Sequence, residues 1–224
     1  MTERFSASVA ARHMACPASA NLDLAIPGWI QPARVIGGAA DAGTAKHEML
    51  EPIVALSTKD IDGFAKILRY IADLRATRRF KVGVEVGVTV EWLVSKPQTT
   101  VDYVLYTQDE LHIIDYKWGK IPVEVIENVQ LMYYARTFAA LAPKARGVTV
   151  HILQPYADNY DSWYIDSNRL AQFEQDALAA EQKILAKDTT FGPTDDGCKF
   201  CPASPHSRGA KGKPFCPAMM QIHY

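Results

Sequence analysis

Two apolar runs, Val101-Asp102-Tyr103-Val104-Leu105 and Leu111-His112-Ile113-Ile114, are joined by polar Thr107-Gln108-Asp109-Glu110. This is the pattern of a β-hairpin. With Gln108 and Asp109 at the centre of the turn, Asp102 falls directly opposite Asp115. Side chains alternate faces along a strand, so Lys117 shares the face of Asp115. Two carboxylates and an ammonium therefore converge on one spot of an otherwise apolar sheet. A buried sheet face tolerates such charges only when they are compensated or serve a purpose. The arrangement predicts a metal site with a lysine beside it. The plainer alternative is a solvated Asp–Lys pair at a strand end, which contributes little.

Two further segments fit around this hairpin. Gly43-Thr44-Ala45-Lys46-His47-Glu48-Met49-Leu50-Glu51 reads as the opening of a helix capped by Asp41. His47 and Glu51 share one face, with Gly43 one turn before His47, where a glycine permits close approach of another backbone. An imidazole joined to two aspartates makes a donor set for a divalent ion. Against that stands the commoner role of a helical histidine as a surface or packed residue. Downstream, residues 123–142 read as a helix with Ile126, Val129, Tyr133 and Ala140 among its apolar positions. Gln130 and Tyr134 lie one turn apart on it, forming an edge that can face the metal site. The alternative is a solvated Gln130 and a core Tyr134.

In this order, Gly43-x3-His47, Asp102, Asp115-x-Lys117 and Gln130-x3-Tyr134 resemble the RecB-type branch of the PD-(D/E)XK nuclease superfamily. The opening of the chain, Phe5-Ser6-Ala7-Ser8, Arg12 and Cys16-Pro17, is similar to the N-terminal segment of its iron–sulfur members. Those include CRISPR-associated adaptation nucleases, AddB-type subunits and the nuclease domain of a eukaryotic replication helicase. The resemblance runs over residues 5–216. It implies an α/β fold, with a mixed central sheet flanked by helices around a restriction-endonuclease-like core. It also implies a metal-dependent DNA nuclease, an exonuclease acting on single strands or ends, with recombination or replication proteins as partners. Carried over residue by residue, Asp102, Asp115, His47 and the carbonyl of Tyr116 would bind Mg²⁺ or Mn²⁺. Lys117 and Gln130 would orient the attacking water, and Tyr134 would position the scissile strand.

The four cysteines divide into Cys16 near the start and Cys198-x2-Cys201 with Cys216 at the end. No signal peptide or long apolar segment is visible, so a reducing cytoplasm, no membrane partner and no disulfides are expected. The resemblance makes the four cysteines ligands of a 4Fe-4S cluster joining the N- and C-terminal segments. The spacing between Cys201 and Cys216 is wider than the family pattern. The competing site is Zn²⁺ held by Cys198, Cys201, His206 and Cys216, with Cys16 an ordinary buried thiol.

With 224 residues and 48% apolar content, the chain can bury one sizeable core. A single nuclease domain over 1–224 is expected, with its core at about 41–165 and an iron–sulfur module from 5–20 plus 190–218. A net charge of -1 excludes a general polyanion binder, so contact with DNA must rest on local cations. Candidates are Arg75, Arg78, Arg79 and Lys81, then Lys199, Arg208, Lys211 and Lys213. Residues 17–40 read as a loop or lid, and 60–79 as an amphipathic helix. Alternate valines from Val82 to Val94 read as one strand and 147–155 as another. Ser162–Ile165 reads as a short edge strand and 168–187 as the last long helix. Two other functions remain open: a decayed nuclease scaffold that binds DNA or protein, and a zinc-dependent nucleic-acid adaptor. The first is disfavoured because Asp102, Asp115 and Lys117 are all present.

Overall fold

The structure, a computed structural model, describes residues 5–29, 58–199, 201–204 and 216–220. His47, Glu51, His206, Arg208, Lys211 and Lys213 lie outside the described residues. A five-stranded mixed sheet is ordered β1-β2-β3-β4-β5. Its strands are β1 Lys81–Thr89, β2 Gln98–Tyr106, β3 Leu111–Tyr116, β4 Gly147–Gln154 and β5 Asn159–Asp166. The helices, in chain order among the described residues, are α1 Ala7–Ala15, α2 Leu22–Ala25, α3 Thr58–Thr77, α4 Val129–Phe138, α5 Ser167–Leu185, α6 Asp195–Lys199 and α7 Pro217–Met220. The result is the expected α/β architecture, a mixed sheet flanked by helices.

Strand β3 is buried along its whole length, as a continuous apolar run between two neighbours must be. It pairs antiparallel with β2, Tyr103 opposite Ile114 and Leu105 opposite His112. One further step of that register puts Asp102 opposite Asp115. It pairs parallel with β4, Asp115 beside Ile152 and Tyr116 beside Leu153. Parallel strands need a crossover, and α4 supplies it. Strand β5 returns antiparallel to β4.

The chain divides into two compact units. One consists of Val35–Val86 and Thr100–Ser167. Its core joins Ile67 and Ile71 of α3 to Tyr103, Leu105, Ile114, Tyr116 and Leu153 of the sheet. Ile67 and Ile71 are one helical turn apart, and Tyr70 and Leu74 extend the same apolar face.

The other unit consists of Met1–Arg34, Gly87–Thr99 and Asn168–Tyr224. In it α5 buries Leu170, Phe173, Ala177, Ala180, Glu181 and Ile184, one stripe of helical period. The Asn21 amide donates to the carbonyls of Ile184 at 3.3 Å and Asp188 at 3.1 Å, tying the N-terminal segment to the end of α5. Gly192 runs against the backbone of Ala15. A Cβ there would sit 2.0 Å from the Ala15 carbonyl oxygen, so the approach requires glycine.

Several boundaries differ from the sequence expectation. Valine alternation continues to Val94, but β1 ends at Thr89. There the chain turns: Val90 N–H donates to Pro97, and Leu93 N–H to Val90. The buried Glu181 carboxylate accepts from the amides of Val94 at 2.9 Å and Ser95 at 2.8 Å. The helix expected over 123–142 is confined to Val129–Phe138. Glu127 takes a positive φ of 56°, and Asn128 caps the helix by accepting from Leu131 N–H at 3.2 Å. Ile126 is left exposed. Part of the loop expected at 17–40 is helical, a 3₁₀ turn Pro17–Ala20 and then α2. The edge strand is longer than expected because β4 pairs along its whole length with β5.

Candidate functional site

Strand β3 ends at the polar set. Asp115 is 3% exposed, a charge position inside the sheet. Its Oδ2 lies 2.8 Å from Lys117 Nζ, a close ion pair that lacks the directional geometry of a hydrogen bond. Just past the strand end, Lys117 N–H donates to Leu153 at 3.0 Å, prolonging the β3–β4 pairing and fixing the backbone beneath the lysine. Half-buried Asp102 accepts from the Tyr116 N–H at 2.6 Å.

Lys117 Nζ also donates to Gln130 Oε1 at 3.0 Å, and Gln130 Nε2 donates to the Tyr134 hydroxyl at 2.9 Å. Half-buried Gln130 thus bridges the lysine to a tyrosine buried in the core. The structure brings Asp102, Asp115, Lys117, Gln130 and Tyr134 together.

Burial, then the Asp115 charge, pushes the Asp102 carboxyl up to about 8, while the Tyr116 amide and Lys117 work against the rise. For Lys117, burial favours the neutral amine. The Asp115 charge and contact, with Asp102, outweigh it, so its pKa rises and the ammonium persists. Asp102 beside Asp115, whose Oδ2 accepts no hydrogen bond, fits the donor set of a hard divalent cation.

Two residues of this site carry no motif signal. Gln154 is fully buried. Its amide donates to the carbonyls of Gly119 at 2.9 Å and Ile121 at 2.7 Å, and its oxygen accepts from Val123 N–H at 3.0 Å. It fastens the segment that leaves Lys117 for α4, and its one trace in the sequence is a polar residue closing the apolar run of β4. Glu85 sits in β1 with a positive φ of 48°, a strained backbone for a residue with a Cβ. Its charge reaches Asp102 and Tyr116. The sequence hides it as one polar position in a valine alternation.

Of the first cation group, Arg78 is committed locally, pairing with Asp109 at 3.1 Å and Glu110 at 2.8 Å.

The cysteines belong to the other unit. Cys16, Cys198, Cys201 and Cys216 line one cavity together with Arg12, and none forms a disulfide. Helix α1 packs on α6, which brings Cys16 and Cys198 to the same place. Cys201 N–H donates to Cys198, and Cys216 N–H to Ala203, arranging the three downstream thiols in successive turns. Burial raises the pKa of Cys198 and of Cys201, and neighbouring cysteines add to the rise. Among the described residues, no three His, Cys, Asp or Glu groups close around a single ion. A cluster spreads its four thiolates more widely than a single ion does, and four cysteines around one cavity fit that chemistry.

No helix among the described residues is long and apolar enough to cross a membrane. The chain is similar to the crystal structure of SSO0001, with 12% identity over 88% of this chain and 83% of that one and a TM-score of 0.42. It is also similar to an alkaline exonuclease from Laribacter hongkongensis, with 12% identity over 80% of this chain and 92% of that one and a TM-score of 0.34. The profile of the family described as a protein of unknown function, DUF2800, matches residues 59–215. That span covers well over half of the chain, and the protein belongs to the DUF2800 family.

Proposed function

We propose that this protein is a metal-dependent nuclease that hydrolyses phosphodiester bonds in DNA. The observation that carries the reading is the connected set Asp102, Asp115, Lys117 and Gln130, in which a buried and a half-buried carboxylate face a persistent ammonium. Mg²⁺ or Mn²⁺ held there would neutralise phosphate charge and lower the pKa of a bound water. Asp102, Asp115 and the Tyr116 carbonyl would hold the ion, with His47 as a further ligand. Lys117 holds its proton and directs positive charge at the position of the attacking water. Gln130 fixes the direction of Lys117, and Tyr134 fixes Gln130 through its hydroxyl.

A second part of the proposal is structural. Cys16, Cys198, Cys201 and Cys216 would hold a 4Fe-4S cluster that clips the N-terminal segment to the C-terminal one. The support is the shared cavity and the four free thiols.

End-labelled single- and double-stranded DNA incubated with Mn²⁺ or Mg²⁺ tests the activity. Wild type should cut only with added metal, and Asp115→Ala and Lys117→Ala should each lose about 100-fold or more in rate while keeping the fold. Cutting by Asp115→Ala at the wild-type rate would instead favour a scaffold that binds DNA without acting on it.

A further inference from the structure

Arg12 lies on the face of α1 that leads to Cys16, one turn on, and the Cys16 N–H donates to the Arg12 carbonyl at 2.9 Å. Both residues line the cavity that Cys198, Cys201 and Cys216 also line. Among the described residues of that lining, Arg12 is the one with a permanent charge. Leu22, Phe191, Pro193, Ala203 and Met219 make the rest of the wall largely apolar. The Arg12 stem packs on α6 just before Cys198: a Cβ on Gly197 would lie 3.7 Å from Arg12 Cα and 3.9 Å from its Cγ. Burial pushes the Cys201 thiol up, and the Arg12 charge works against that rise. A cation in the last turn of α1 would offset the helix dipole equally well from the solvent. Arg12 is instead half-buried beside the thiols.

We propose that Arg12 is the charge partner of the four-cysteine site and holds the reduction potential of its cluster above the value that the thiolates alone would set. The inference rests on the cluster reading of these cysteines and adds to it the residue that tunes the cluster. Four thiolates leave a 4Fe-4S cluster with net negative charge, and one-electron reduction increases it. A cation in an otherwise apolar wall is little screened by water, so it favours the reduced form. The guanidinium keeps its charge throughout the working pH range.

The test uses full-length protein purified without oxygen and titrated with dithionite in the presence of mediator dyes. Electron paramagnetic resonance counts the reduced cluster at each potential. Arg12→Gln should move the midpoint to a more negative potential by about 59 mV, a tenfold change in the oxidised-to-reduced ratio for one electron. Arg12→Lys keeps the charge and should keep the wild-type midpoint. Exposed Lys199 follows Cys198 in sequence but is not part of the cavity lining. Lys199→Gln removes the same net charge and should leave the midpoint in place. An unchanged midpoint in Arg12→Gln, or an equal shift in Lys199→Gln, would overturn the proposal. If Arg12→Gln assembles no cluster, Arg12→Lys decides: a wild-type midpoint supports the charge role, and a shift of about tenfold in the ratio refutes it. The two readings fail separately. Iron-free wild type sinks the cluster, whereas coloured protein whose midpoint ignores Arg12 sinks this role alone.

Discussion

Gln130 and Lys117 depend on each other through one hydrogen bond of 3.0 Å, so removing the amide should leave the lysine charged but undirected. Gln130→Leu is expected to lower kcat by about 10- to 100-fold with little change in KM, as for groups that act by orienting a neighbour. Steady-state kinetics separates this from loss of binding, in which KM alone would rise. A second residue-scale prediction concerns a chain of hydrogen bonds that the proposed chemistry does not use. Tyr70 Oη lies 3.0 Å from His151 Nδ1, His151 Nε2 lies 2.9 Å from His112 Nδ1, and His112 Nε2 lies 2.8 Å from Glu110 Oε1. Burial, then His112, lowers the His151 pKa from 6.5 to about 3. The unfolded chain takes up that proton more readily. The stability contributed by neutral His151 is therefore present above pH 6.5 and is lost progressively as the pH falls toward 3. The urea midpoint of wild type should fall further between pH 7.5 and 5.5 than that of His151→Gln. Equal falls would remove His151 from the account.

At the scale of elements, α4 carries Gln130 to the end of β3, and its start is set by the Asn128 cap. Asn128→Ala should reduce stability by about 1 kcal/mol, read as a lower urea midpoint at unchanged slope. The hairpin of β2 and β3 was fully legible in the sequence, because apolar alternation and a polar turn fix register without tertiary help. From that register followed the meeting of Asp102, Asp115 and Lys117. The end of β1 was not legible: alternating valines run past Thr89, and what stops the strand is Glu181, far away in sequence and invisible to any local pattern. The start of α4 was missed for a related reason. Ile126 and Val129 share a helical spacing, yet Gln154 of β4 and Asn159 of β5 tie the backbone of Val123, before the helix, through its N–H and its carbonyl. Glu85 escaped because a positive φ on an ordinary residue leaves no mark on composition or periodicity.

At the scale of the whole molecule, two chemistries are assigned to two compact units: charged oxygen donors at the end of β3 and thiols between α1 and the C-terminal turns. If the thiols hold a cluster, protein purified without oxygen should be brown, with iron and sulfide in cluster proportion. Cys16→Ala should then lose both colour and thermal stability. Colourless protein with stoichiometric zinc, damaged by His206→Ala and indifferent to Cys16→Ala, would replace the cluster by a zinc site. The oxygen-donor site is the centre of the account, since the roles proposed for Lys117 and Gln130 rest on a cation between the two aspartates. Electron paramagnetic resonance of Mn²⁺ titrated into the full-length protein measures that directly. Wild type is expected to take up Mn²⁺ stoichiometrically, and Asp102→Asn/Asp115→Asn, which keeps the shape of both side chains, should leave the ion free in solution. Equal Mn²⁺ uptake by the double variant, or none by the wild type, would contradict the account.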